Sequence, residues 1–525
     1  MERFPVIYIR GFAGPTAGID AQVDDPFYGF NNGATHVRIN GEGNPAFYQF
    51  EGPLVRLITD EKYELYVQGS QQRVLDNTSI KVQPKSLWIY RFYDEFATTF
   101  KPAPEENLAE RLVSKLRHQI TAEGFNIENA AQGLYELVVQ VRTRTGADKV
   151  YLVAHSMGGL IARCMIQKVS QQKGRTPGSE MVAKLFTYGT PHGGIRSAAG
   201  VAQWVESTFN PAGSNIFAPD LMQGYLDPSK NFGDDSDKNW DPRVIDDGSF
   251  DADNIFCLVG TDPADYGWGP RTVVGPQSDG LVQIENAYVR NAHRAFVHKS
   301  HSGSYGEVNS EEGYQNLRRF LFGRWAVTAT LIKGLIPHND VSYQLDMRLS
   351  IRGNSVVISE QTMAHWCPIM LSNEQTPTEV TLARTFLLDP SDRADNTAPA
   401  GERQMRYMLT LRLFAVHRSE DFFDFRNSTE QVPLWEDTLI VDVDPVSEGT
   451  GLVAYAAWNS TVPGANQNRD PIISNLPDPE QRQKLTFQPS ADSGLLATVP
   501  LPKSALQDSV LGSEAAIRFA VSERS

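Results

Sequence analysis

The hydrophobic pattern changes period once along the chain. Up to residue 324, short runs that are apolar at nearly every position alternate with stretches of helical spacing. The runs are Val6 to Ile9, Leu87 to Tyr90, Val150 to Ala154, Leu185 to Gly189 and Ile255 to Gly260. A strand that is apolar on both faces is covered on both, so these runs predict the interior of a parallel sheet. Between them, Leu108, Leu112, Leu116 and Ile120 form one helical stripe, and Leu134, Leu137, Val138 and Val141 another. The alternation predicts an α/β fold with a doubly wound, mostly parallel sheet.

After that point the period becomes two. Val341, Tyr343, Leu345, Met347, Leu349 and Ile351 alternate with Ser342, Gln344, Asp346, Arg348, Ser350 and Arg352, the signature of a half-buried strand. Similar runs recur at TEVTLARTFLL, RYMLTLRLF, DTLIVDVD, GLVAYAAW and AAIRFAV, with Pro, Gly, Asn and Asp between them. The region 325–525 therefore reads as a β-sandwich of roughly eight to ten strands. The junction with domain 1–324 falls after a short helix, for which Asn309 and Glu312 give a cap signal, Tyr314, Leu317 and Leu321 a stripe, and Gly323 a stop.

Composition narrows the partners. A chain of 525 residues exceeds what one core serves, and 41% apolar with 21% charged residues is ordinary globular usage. No stretch approaches the roughly 20 apolar residues of a membrane span. Forty-eight basic against 63 acidic residues leave a net charge of -15, which disfavours nucleic acid and anionic bilayers as partners. Cys164, Cys257 and Cys367 are far apart and read as reduced core residues. The first residues enter a strand at once without the order of a signal peptide, so a cytoplasmic chain is the default expectation, with export by another route left open.

The stretch VYLVAHSMGGLIAR, Val150 to Arg163, passes from strand to helix through a polar His-Ser pair. Ala154 and Gly158, two before and two after Ser156, are the small residues a tight strand-to-helix turn requires, and the turn lifts the Ser156 hydroxyl above the sheet. The plainer alternative is a serine N-cap on a buried helix. A serine nucleophile needs donors aimed at an oxyanion; the Met157 amide is one candidate, and the Phe12 amide in VIYIRGFAG is the other.

These segments resemble bacterial lipases and esterases of the α/β-hydrolase superfamily, which carry H-G-F/I-x-G after the first core strand and A-H-S-M-G-G at the elbow. Arg10 stands where those proteins have histidine, and YGTPHGG, Tyr188 to Gly194, resembles their segment after the elbow. The resemblance implies the chain order Ser, Asp, His. Asp279, in PQSDGLVQIENA, matches the orienting aspartate, and His301, in HKSHSGSYGEVNS, follows at a spacing close to that of those lipases. His298 is the rival histidine and Asp262 the rival acid.

The resemblance implies an acyl-enzyme on Ser156 with a small-molecule or lipid ester as substrate, and no metal or organic cofactor. A serine-dependent acyltransferase, a phospholipase or a silent binding protein on the same scaffold are the alternatives. The acidic stretch Gly233 to Asp253 lacks EF-hand spacing and reads as a solvated loop before it reads as a calcium site. Insertions 13–85 and 195–250 are candidates for lids or pocket walls, with Phe27, Tyr28, Phe30, Phe47, Tyr48 and Phe50 lining an acyl pocket or, more simply, the insertion's own core. The outward residues Asp346, Arg348, Arg352 and Arg412 of the β region require no catalytic role. Packing against another domain or subunit is the plainer reading of that region, and surface docking the other.

Overall fold

The computed structural model describes residues 2–11, 38–39, 45–46, 52–66, 71–90, 126–195, 216–246, 248–264, 275–301, 306–333, 342–351, 356–371, 379–388, 405–417, 430–445, 452–461, 483–490, 494–506 and 511–524. They form two compact units, one of residues 2–294 with 298–317, the other of 295–297 with 318–525.

The first unit is built on strands β1 (Val6–Ile9), β2 (Glu64–Tyr66), β3 (Ser86–Tyr90), β4 (Val150–His155), β5 (Val182–Tyr188), β6 (Ile255–Gly260) and the start of β7 (His293–Val297), whose residues 295–297 belong to the other unit. Their order in the sheet is β2-β3-β1-β4-β5-β6-β7, and every pairing from β2 to β6 is parallel. All residues of β1, β3, β4 and β6 are buried, as strands covered on both faces must be. From β1 the chain goes to the edge strand β2, returns to β3 beside β1, and then crosses to add β4, β5, β6 and β7 in turn on the other side. The point of reversal lies between β1 and β4, the place where open α/β sheets take their ligands.

The helices include α1 (Gly52–Glu61), α2 (Ile127–Thr145), α3 (Met157–Gln167) and α4 (Glu311–Phe322). Helix α2 buries Leu134, Leu137, Val138 and Val141, the stripe read from the sequence. Asn126 caps its start by accepting from the Glu128 and Asn129 amides, and Gly146 at φ 70 ends it. Helix α3 is buried at every position, so it presents no face to solvent. The Leu108 to Ile120 stripe lies outside the described residues. No helix among the described residues is long and apolar enough to cross a membrane.

The insertions differ from the expectation in part. Residues 64–66 of the first insertion form the edge strand β2, whose three residues are too few to signal a strand. From the second, Phe217, Met222, Tyr225 and Leu226 enter the main core. The aromatic residues Phe27, Tyr28, Phe30, Phe47, Tyr48 and Phe50 lie outside the described residues. The cap of α4 also shifts by one residue. Ser310, not Asn309, takes the N-cap, its Oγ accepting from the Gly313 amide at 2.9 Å, while Asn309 Oδ1 accepts from the Gly52 amide at 3.1 Å.

The second unit holds β8 (Gly323–Ile332), β9 (Ser342–Ile351), β10 (Val357–Gln361), β11 (Ile369–Leu371), β12 (Glu379–Leu388), β13 (Met405–His417), β14 (Glu430–Pro445), β15 (Leu452–Trp458), β16 (Gln483–Lys484), β17 (Gln488–Pro489), β18 (Leu495–Pro500) and β19 (Ala516–Glu523). A five-stranded sheet, β12-β8-β19-β18-β17, and a seven-stranded one, β10-β9-β13-β14-β15-β16 with β11 beside β9, are antiparallel and share one core. The twelve strands among the described residues exceed the expected eight to ten because β11, β16 and β17 are too short to establish a period. The three cysteines of the whole chain are free and buried.

Candidate active site

Three of the residues singled out from the sequence meet at the carboxyl ends of the parallel strands. Ser156 follows β4 directly, Asp279 lies in the connection from β6 to β7, and His301 follows β7. His301 Nδ1 is 2.8 Å from Asp279 Oδ2, and His301 Nε2 is 3.0 Å from Ser156 Oγ. Because a carboxylate only accepts, the Nδ1 proton points to Asp279 and Nε2 is left to accept from the serine hydroxyl. All three side chains are buried.

Each is fixed by its own local structure. Ser156 adopts φ 53 and ψ -129, a left-handed conformation that a non-glycine residue holds only under constraint. The constraint is visible on both sides. The Ser156 amide donates to the Tyr188 carbonyl at 2.9 Å, and Thr190 Oγ1 donates to the Ser156 carbonyl at 2.9 Å. Gly158 permits the turn, since a methyl there would come within 2.7 Å of the Ile9 carbonyl oxygen. Ala154, the small residue on the other side of the serine, is fully buried.

Asp279 Oδ1 accepts from the Leu281 and Val282 amides at 2.9 and 2.7 Å, so with His301 the carboxylate has three donors. The backbone holds the pair too: the His301 amide donates to the Asp279 carbonyl at 2.8 Å. His155, beside the serine, donates from Nε2 to the His301 carbonyl at 2.9 Å. Its burial, and then its nearness to His301, hold its pKa well below the usual imidazole value, so it is a neutral strut.

The rival residues lie together elsewhere. His298 Nε2 is 3.9 Å from Asp262 Oδ2, and Asp262 Oδ1 accepts from the Ala264 amide. The Met157 amide heads helix α3 next to Ser156, where the positive end of the helix dipole adds to it. Phe12 lies outside the described residues. Its neighbour Gly11 packs so tightly that a methyl there would stand 2.6 Å from His155 Nδ1 and 2.9 Å from Ser156 Cβ.

Two wholly buried ionisable residues near the site, Arg163 and Glu307, were not anticipated. Arg163 is fully enclosed and its guanidinium donates to Gln167 Oε1 and to the Pro242 carbonyl, at 2.8 and 2.7 Å. It ties helix α3 to the described part of the second insertion. Glu307 is fully buried as well, and its only mark in the sequence is that a carboxylate follows the histidine by six residues. With His155 and His301 it makes the one grouping among the described residues whose ligand atoms, all within 4.8 Å, have metal-binding proximity. Both nitrogens of His301 and Nε2 of His155 are already in hydrogen bonds, so a metal there would have to displace those contacts. In the acidic stretch, Asp234 and Asp251 accept amides within their own turns and Asp241 pairs with Arg243 and Arg290.

Residues 96–213, which include the elbow and YGTPHGG, match a protein family described as "Putative serine esterase (DUF676)". A solved structure of a gene product from Listeria innocua aligns at 11% identity over 61% of this chain and 94% of its own, with a TM-score of 0.26, too loose a likeness to carry an argument. No curated protein matches the chain significantly. The resemblance to the α/β-hydrolase serine esterases therefore rests on two footings, a serine elbow within a mostly parallel sheet and a family match spanning that elbow.

Proposed function

We propose that the chain is a carboxylic-ester hydrolase that works through an acyl-enzyme on Ser156, within a catalytic domain of residues 1–324 followed by a β-sandwich domain of 325–525. The observation that carries this reading is the unbroken hydrogen-bonded series from Asp279 through His301 to Ser156. His301 takes the serine proton as Oγ attacks the ester carbonyl, and Asp279 stabilises the imidazolium that forms. The Met157 and Phe12 amides receive the negative charge of the tetrahedral intermediate. The imidazolium then protonates the leaving alkoxide. Water, deprotonated by the same histidine, attacks the acyl-enzyme and releases the carboxylic acid.

Substrates in this reading are small-molecule or lipid esters. The test combines covalent labelling by a fluorophosphonate, located by peptide mapping, with hydrolysis of p-nitrophenyl esters from acetate to palmitate and of a phospholipid. Labelling at Ser156 together with turnover of at least one ester series supports the reading. A protein that is folded yet neither labels nor turns over any of them refutes it.

A further inference from the structure

Behind the Asp279–His301 contact lies a second carboxyl that the mechanism leaves without a task. Glu307 is wholly excluded from solvent, and neither oxygen has a hydrogen-bond partner among the described residues. One of its oxygens lies within 4.8 Å of a ring nitrogen of His301 and of His155. Gly189, at the end of β5 with φ 47, makes room for it. A methyl at that position would stand 2.2 Å from Glu307 Oε1, 2.8 Å from His301 Nδ1 and 3.0 Å from Asp279 Oδ2, so the three groups converge on one missing side chain.

The two carboxyls are unequally provided for. Asp279 has three donors, two of them backbone amides. Among the described residues Glu307 has only the Gly260 amide nearby, and neither carboxyl oxygen makes a hydrogen bond. Among the described residues, the titratable groups that face Glu307 are Asp279, His301, His155 and Tyr188, none of them a permanent cation. Burial raises its pKa well above the ordinary carboxyl value, and the charge of Asp279 adds to the effect.

We propose that Glu307 is a positioning residue that stays a neutral acid while the site is active, confining the negative charge to Asp279, and that its ionisation closes the active range at the alkaline end. This rests on the catalytic reading of Ser156, His301 and Asp279. Of two carboxyls in one dry pocket, the one without donors keeps the proton. Once that proton is lost, a second anion faces His301, and the ring is driven to hold a proton of its own. An imidazolium cannot accept from Ser156.

The experiment measures kcat/KM on a p-nitrophenyl ester from roughly pH 6 to 10 for the unsubstituted protein, Glu307→Gln and Glu307→Met. Both variants are neutral and of similar length. They are expected to match the unsubstituted rate at neutral pH within about threefold and to hold it at least about one pH unit beyond the alkaline decline. Infrared spectra at neutral pH are expected to contain a protonated-carboxyl C=O band that both variants lack. If neither variant folds, the band of the unsubstituted protein, followed across the same range, must fade as activity falls.

Superimposed pH profiles, a folded variant more than about tenfold slower at neutral pH, no alkaline decline in the unsubstituted protein, or no band each overturn the inference. Fluorophosphonate labelling of Ser156 separates the two readings. Labelling with superimposed profiles removes the role of Glu307 alone. Absence of both labelling and ester turnover removes the esterase reading, and with it this one.

Discussion

The two units place their charged groups in different ways. In the sandwich, charge is settled close to where it arises. Arg412 and Glu436 face each other across adjacent strands at 2.9 Å, and Arg518 reaches Glu379 on the same sheet. The buried Asp437 accepts from the hydroxyl and amide of Ser460 and from the Thr438 amide. In the α/β unit the opposite holds at one place. Ser156, His155, Asp279, His301 and Glu307 come from four separate stretches of chain, are all buried, and converge beyond the strand ends. Groups paired locally serve folding. Groups assembled from afar at a cost in desolvation are the ones to which the proposed function gives a chemical task.

That contrast can be broken by substitution, and the largest expected effect is at the nucleophile. Ser156→Ala should lower ester turnover by about 10⁵- to 10⁶-fold and abolish fluorophosphonate labelling, while the melting curve stays cooperative. Turnover near the unsubstituted rate would mean that the convergence has another purpose.

Next comes the acid. Asp279→Asn keeps the shape but removes the charge that steadies the imidazolium, and kcat should fall by about 10⁴-fold. Asp262→Asn, whose carboxyl sits beside His298, should change kcat by less than about threefold. A reversal of these two results would exchange the acids.

Glu307→Gln tests the cost of the convergence through stability. The folded pKa of Glu307 is raised, so above its ordinary value the native state retains a proton that the unfolded chain has lost. Native stability therefore falls as pH rises, by up to about 1.4 kcal/mol per pH unit, until Glu307 ionises in the folded protein. The glutamine variant lacks this loss. Its advantage in thermal melts should be smallest near pH 4 and grow toward pH 8; a constant difference would show that Glu307 does not titrate as described.

Gly158→Ala brings a methyl against the Ile9 carbonyl and should cost about 1–3 kcal/mol in denaturant unfolding. Last and smallest, a double-mutant cycle on Arg412 and Glu436, both about half exposed, should return a coupling of about 0.5 kcal/mol and leave esterase kinetics unchanged. A coupling several times larger would blur the distinction between the units.

What could be read in the sequence divides along the same line. The parallel core was legible because doubly covered strands are apolar throughout, and the stripe of α2 because its repeat is clean. Ser156 stood out because two small residues, Ala154 and Gly158, flank it where a strand passes into a helix. Asp279 and His301 were reached through a resemblance between short segments, not through any periodic signal. The edge strand β2 and the two- and three-residue strands of the sandwich were invisible, because a period needs more residues than they contain. Glu307 escaped for another reason. Its significance comes from neighbours distant in sequence, and nothing local separates a buried acid from a solvated one. The cap of α4 went to Ser310 because Asn309 was engaged by Gly52, a partner 257 residues away.

The backbone of Ser156 carries a further consequence, for the history of the chain. At φ 53 a serine pays about 1–3 kcal/mol that glycine would not, so Ser156→Gly is a single substitution that relaxes the elbow. A lineage that had ceased to use the hydroxyl would have had a stabilising exit open at this position. This chain has not taken it. On the proposed reading, the hydroxyl that glycine would forfeit is what this strained backbone holds in place.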